Sequence, residues 1–251
     1  MADAALASSA FAGFRLLARR PLTFLVWGLG ALAVWAAVLG ALFAASPGGF
    51  GIHLFGPIGA PVLWLTATIL ICAVFRLVLR TQERHRIGLR IGPDELRLAP
   101  LVLVLGAIAA VCILPLVLSG PQRLAATAIL LLISPFLCLL APAVFATRRL
   151  DLLQGFRLAW RRYASLLAMN LLIAGIYATT TVLLGHFWKW MILVNDTRID
   201  QAIHRGTGAV GQMIGIAGVL AILIYGALLI IVTAPAAEAY RRLTSPPAPG
   251  P

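Results

Sequence analysis

Charge is scarce in this sequence. Asp, Glu, Lys and Arg together make up 11% of its 251 residues, against about a quarter of an ordinary soluble domain. Acidic groups are the rarest, eight against twenty basic ones, and Lys189 is the only lysine among those twenty. With 61% of the residues apolar, a soluble globular protein and a disordered chain are both excluded. The composition reads as a multi-pass membrane protein, and the Arg-over-Lys bias reads as a GC-rich bacterial genome. Cysteine is nearly absent. Cys72, Cys112 and Cys138 lie in apolar runs without a C-x-x-C spacing, which excludes a disulfide framework and a zinc knuckle. The sequence also lacks Gly-x-Ser-x-Gly, His-Glu-x-x-His, a P-loop and paired catalytic carboxylates, so no catalytic residue, cofactor or metal is expected.

What is present is a series of long apolar runs. A bilayer core of about 30 Å needs roughly 20 residues of helix, and six runs qualify: 22–45, 60–79, 100–118, 124–147, 164–184 and 208–234. Arg19-Arg20 before the first run raises the question of a signal peptide. The run is 24 residues long, well beyond a signal's apolar core, and reads as an uncleaved helix. With both termini in the cytoplasm, sixteen basic residues fall on the inner side. Only Arg123, Lys189, Arg198 and Arg205 fall outside. That asymmetry satisfies the positive-inside rule and places the chain in a bacterial inner membrane.

One internal match is informative. Gly13 to Arg20 and Gly155 to Arg162 share six identities in eight positions, each ahead of a run. Four spans separate the copies, so the following helices point the same way, as in a parallel duplication. Each copy predicts an interfacial amphipathic helix, over 9–20 and 150–163. In the second, Leu152, Leu153, Phe156, Ala159, Trp160 and Tyr163 form one stripe opposite Gln154, Arg157 and Arg161. Apolar face down and arginines toward phosphate is how a helix lies among headgroups. Arg15, Arg19, Arg20, Arg157, Arg161 and Arg162 are therefore the candidate contacts for anionic lipid of the cytoplasmic leaflet.

Three further segments complete the expected organisation. In the flap 80–99, Ile87, Leu89 and Ile91 alternate with Gly88, Arg90 and Gly92, and Leu96 and Leu98 with Glu95 and Arg97. This predicts a small β-hairpin or extended flap between helices 2 and 3. An extracytoplasmic loop is expected over 185–207, and a cytoplasmic tail over 235–251. Within the spans no Asp, Glu, Lys or His occurs and Arg76 sits near an end, which disfavours proton-coupled transport. Asn170, Thr180, Gln212 and Tyr225 are the candidate intramembrane polar cluster, although such groups commonly bond between helices. His53, His186 and His204 with Asp196 and Asp200 match no metal-ligand spacing. The positive charge is laid out as a topology signal, so nucleic acid is not an expected partner.

The stretch Arg148 to Arg162, with Gly155-Phe156-Arg157 and Trp160-Arg161-Arg162, resembles a family of uncharacterised bacterial multi-pass inner-membrane proteins. It also resembles the membrane domain of glycerophosphoryl diester phosphodiesterases. The ending Ala234 to Leu243, with Tyr240 before Arg241-Arg242, is similar to the last helix of that group. The resemblance implies a cytoplasmic amphipathic segment ahead of a span. The six runs leave no room for a catalytic barrel of about 250 residues, so the phosphodiesterase activity does not carry over. The expectation is an all-α, single-domain, non-enzymatic membrane protein, acting as an envelope-associated interaction or lipid-contacting module. Its partners would be anionic lipids, with a second copy or another membrane protein beside them. The alternative is a transporter or channel-like protein for a small or lipidic substrate.

Overall fold

Proline opens three of the long helices, where its fixed φ suits the first helical position and its missing N–H costs nothing. In the computed structural model of the chain, α1 is Ala12–Arg19, α2 Pro21–Ala45, α3 Gly51–Leu79 and α4 Pro93–Val117. The second half holds α5 Pro121–Thr147, α6 Leu152–Arg161, α7 Tyr163–His204 and α8 Ala209–Thr244. The residues described are 6, 8–45, 51–80, 89, 92–117, 121–149, 151–204 and 209–245. Among them no strand occurs. Among the described residues, four helices contain windows long and apolar enough to cross a membrane, Pro21–Val38, Gly59–Leu79, Thr127–Thr147 and Tyr163–His186, which is consistent with an integral membrane protein.

Several helix limits differ from the sequence reading. The hairpin expected over 80–99 is replaced from Pro93 onward by the start of α4; residues 81–88, 90 and 91 lie outside the described residues. Pro93 takes the first helical position. Asp94 and Glu95 stand in the first turn, where the helix dipole favours carboxylates. Two alternating leucines are too short a pattern to outweigh that start signal, and here Leu98 is buried while Leu96 is exposed. The stretch expected as a loop over 185–207 continues α7 as far as His204. Likewise α8 passes through Pro235, the expected stop, to Thr244. An interior proline costs about 3 kcal/mol of helix. Burial of Ala236, Ala237, Ala239 and Tyr240 beyond it offsets that loss.

Among the described residues the buried core sits at one end of the bundle. One buried cluster joins Phe24 and Trp27 of α2, Leu70 to Val78 of α3, Leu98 and Leu101 of α4, Val144 and Phe145 of α5, and Ile230, Ala234 and Ala237 of α8. A second joins Leu6 and Ala10, Leu139 and Ala143 of α5, Ala159 of α6, Leu166, Met169 and Ile173 of α7, and Ala239 and Tyr240 of α8. Both gather the starts of α2, α4 and α7 and the ends of α3, α5 and α8, which is the end that carries α1, α6 and their arginines. The hub is α8, packed against α1, α2, α3, α5 and α7. The apolar windows of α2 and α7 are only 17% buried, against 39% and 44% for those of α3 and α5. So α2 and α7 flank the bundle and expose most of their apolar surface.

Candidate functional site

The arginine-rich end is built on two glycine contacts. A Cβ at Gly13 would lie 2.5 Å from Ile231 Cα and 2.9 Å from the Ile230 carbonyl oxygen, so α1 rests backbone to backbone on α8. At Gly155 a Cβ would meet Leu140 Cδ2 at 3.2 Å and the Leu139 carbonyl oxygen at 3.3 Å, so α6 rests in the same manner on α5. Equivalent positions of the two matching segments thus dock on different long helices. Those hosts match as well. Ala141 to Leu150 and Ala234 to Leu243 share seven identities in ten positions, including Ala-Pro-Ala and Arg-Arg-Leu. A self-comparison extended to the helix ends makes this second match visible. In each host the proline stands two to five residues after the glycine contact. Proline lacks the N–H that would bond the carbonyl four residues earlier, and the docking glycine arrives beside the backbone so affected.

With their glycines turned inward, and Leu16, Leu17 and Ala159 packed beside them, α1 and α6 present their arginines and several aromatic rings to the outside. All six candidate arginines, Arg15, Arg19, Arg20, Arg157, Arg161 and Arg162, are exposed; Arg15 donates to the Ser8 carbonyl oxygen at 3.0 Å. Phe11, Phe14, Leu153, Phe156 and Trp160 are exposed too, Trp160 by 75%. The apolar stripe of α6 therefore serves two neighbours, with Gly155 and Ala159 against the bundle and Phe156 and Trp160 outside. Phe136 of α5 ties this edge down. Its ring stacks on Phe156 at 5.6 Å and on Trp160 at 6.1 Å, and meets Tyr163 at 5.5 Å. The entry to α6 is locally determined. Arg148 adopts φ 56°, the Thr147 hydroxyl bonds across the turn to the Arg149 carbonyl at 3.2 Å, and Asp151 caps the helix by accepting from the Gln154 N–H.

Beneath the surface arginines lies a set of ion pairs that the flap expected over 80–99 does not anticipate, since a hairpin there holds Asp94 and Glu95 apart from the preceding helix. Arg76 pairs with Glu95, and Arg80 with Asp94 at 2.8 Å. Arg76, Asp94 and Glu95 are 4–6% exposed. Arg80 also donates to the Phe145 carbonyl oxygen at 3.2 Å and sits 4.5 Å above the Phe145 ring. These contacts tie α3 to α4 and α5. The sequence signal for them was Asp-Glu directly after a proline, opposite two arginines one turn apart at the end of the preceding run. At the end of α8, Glu238 accepts from Arg242 at 2.8 Å and pairs with Arg241 at 2.7 Å. Burial pushes the Glu238 carboxyl up, but the hydrogen bonds and charges of Arg242 and Arg241 outweigh it and hold the group below its ordinary value. Arg242 reaches on to the Ser8 hydroxyl at 3.1 Å, joining the two ends of the chain. Burial, with the charge of Asp151, raises the Tyr240 phenol above its usual range.

The candidate polar cluster of Asn170, Thr180, Gln212 and Tyr225 is not gathered at one place in its described part. Asn170 donates to the Ser134 hydroxyl at 2.9 Å, and Ser134 donates to the Leu131 carbonyl oxygen at 2.8 Å. That carbonyl is the one Pro135 leaves without its helical donor. Tyr163 donates to the adjacent Leu132 carbonyl oxygen at 2.8 Å. Thr180 bonds back to Ile176 in its own helix, and it lies ten residues, about 15 Å of helix, from Asn170. The side chains of Gln212 and Tyr225 lie outside the described residues. No family model, curated protein or solved structure matches this chain.

Proposed function

We propose that the chain is a six-span bacterial inner-membrane protein with both termini in the cytoplasm. In this reading α1 and α6 are interfacial helices that hold anionic phospholipid of the cytoplasmic leaflet. The protein is then a non-enzymatic, envelope-associated module of the multi-pass family it resembles, contacting lipid or membrane partners. The observation that carries the reading is the division of faces on α1 and α6. Both glycines are turned onto the bundle, which leaves Phe14, Phe156 and Trp160 exposed beside all six arginines. A helix with rings and guanidinium groups on its outer side matches the headgroup layer, where each basic residue attracts the anionic surface by about 1 kcal/mol. The transporter reading draws no support from Asn170 and Thr180, whose hydrogen-bonding capacity is used between or within helices.

The test is lipid enrichment around the protein extracted in polymer-bounded discs. Replacing Arg157, Arg161 and Arg162 together with Gln is expected to lower the ratio of phosphatidylglycerol to phosphatidylethanolamine in the discs severalfold toward that of the bulk membrane. An unchanged ratio overturns the reading.

A further inference from the structure

Between α2 and α3 lies a cavity of about 280 Å³, walled by Trp27, Gly30, Ala31 and Val34 on one side and Ile69 and Leu70 on the other. Two lining residues carry polar side-chain groups: the indole of Trp27, a residue only 1% exposed, and the Thr66 hydroxyl, which is turned away to the Val62 carbonyl oxygen at 2.7 Å. The walls therefore offer an occupant mainly apolar contact. Close-packed interiors leave few voids larger than a water molecule, and water in an apolar void of this kind lacks the polar partners it needs. The space is open along Gly30, where an added Cβ would meet nothing within 4 Å.

Depth and charge identify the occupant. The groove runs along α2 from Trp27 to Val34, about 10 Å of helix. Arg19 and Arg20 precede Trp27 by a further 10 Å or so, and both are exposed. From the arginine pair to the foot of the groove is thus about 20 Å, which matches one leaflet, half of the hydrocarbon core plus its headgroup layer. No carboxylate lies on α1 to compete for those guanidinium groups. We infer that the groove is a binding site for one anionic glycerophospholipid, its phosphate on Arg19 and Arg20 and one acyl chain against Trp27, Gly30 and Val34. Leu89, four residues before α4, lines the cavity as well, so the bound chain also touches the segment joining α3 to α4. The site rests on the reading of α1 as an interfacial helix. It differs from a general annular preference in holding one molecule through detergent extraction.

Native mass spectrometry of the purified full chain, titrated with phosphatidylglycerol or phosphatidylcholine in mild detergent, tests it. The unaltered chain is expected to retain one phosphatidylglycerol in preference to phosphatidylcholine. Gly30→Leu, which fills the groove from its open side, should lower the retained fraction at least fivefold. Gly30→Val gives the same reading with a smaller fill where Leu is not tolerated, and thermal melting confirms that either variant is folded. Arg19→Gln with Arg20→Gln should remove the preference between the two lipids. Full retention in a folded Gly30→Leu or Gly30→Val chain, or equal retention of both lipids by the unaltered chain, overturns the site. The Arg157/Arg161/Arg162 variant should leave this one-lipid count unchanged while changing disc enrichment, so the failure of the site and of the broader lipid reading are separable.

Discussion

Gly13 and Gly155 occupy the same position of matching segments, yet their surroundings set different tolerances. Around Gly13 the nearest atoms are backbone, Ile231 Cα at 2.5 Å and the Ile230 carbonyl oxygen at 2.9 Å, and neither can move without moving α8. Around Gly155 the nearest is the Leu140 methyl at 3.2 Å, the end of a side chain that can rotate. Overpacking of a well-filled site costs about 1–3 kcal/mol. Gly13→Ala should fall at the upper end of that range and Gly155→Ala at or below the lower end. Thermal unfolding of the purified variants in detergent measures the order. An equal or larger loss for Gly155→Ala would show that α1 does not dock as closely as the geometry indicates.

Within α5 the interruption at Pro135 is met by side chains, not by water. Asn170 and Ser134 form a relay to the Leu131 carbonyl, and Tyr163 serves the Leu132 carbonyl. This fastens the start of α7 to the middle of α5. Helix-to-helix hydrogen bonds in membranes are worth roughly 0.6–2 kcal/mol. Ser134→Ala and Asn170→Leu should each destabilise by about 1 kcal/mol, and the double variant by less than the sum, because both act through one relay. Additive losses in a double-mutant cycle would mean that the two residues work independently.

At the scale of the molecule, and among the described residues, the buried core and the arginines of α1 and α6 occupy the same end, while α2 and α7 leave most of their apolar windows uncovered. Lipid covers those faces in the proposed six-span arrangement. That arrangement predicts a reporter pattern. A fluorescent protein fused after Ser245, or ahead of Met1, should fluoresce in the cytoplasm, and alkaline phosphatase at either place should be inactive. A phosphatase inserted at residue 206 should be active. An active phosphatase at Ser245 would break the topology.

Much of the helical architecture was legible in the residues because it rests on local properties. Apolar runs of membrane length, proline at helix starts and the paired Gly-Phe-Arg segments follow from composition and periodicity alone, and the described residues are helical, with four windows able to cross a membrane. What the chain does with Asp94, Glu95, Asn170 and Gly13 was not legible, since each depends on a partner 14 to 218 residues away. A proline-acidic start looked like a flap until Arg76 and Arg80 met it, and an intramembrane Asn looked like a cavity residue until Pro135 supplied a carbonyl in need of a donor. Composition and periodicity suffice to make the chain apolar and helical, with its arginines crowded before two apolar runs. Which face of those helices is buried and which stays exposed is set in the fold, because that choice is made by backbone contact between segments distant in the chain.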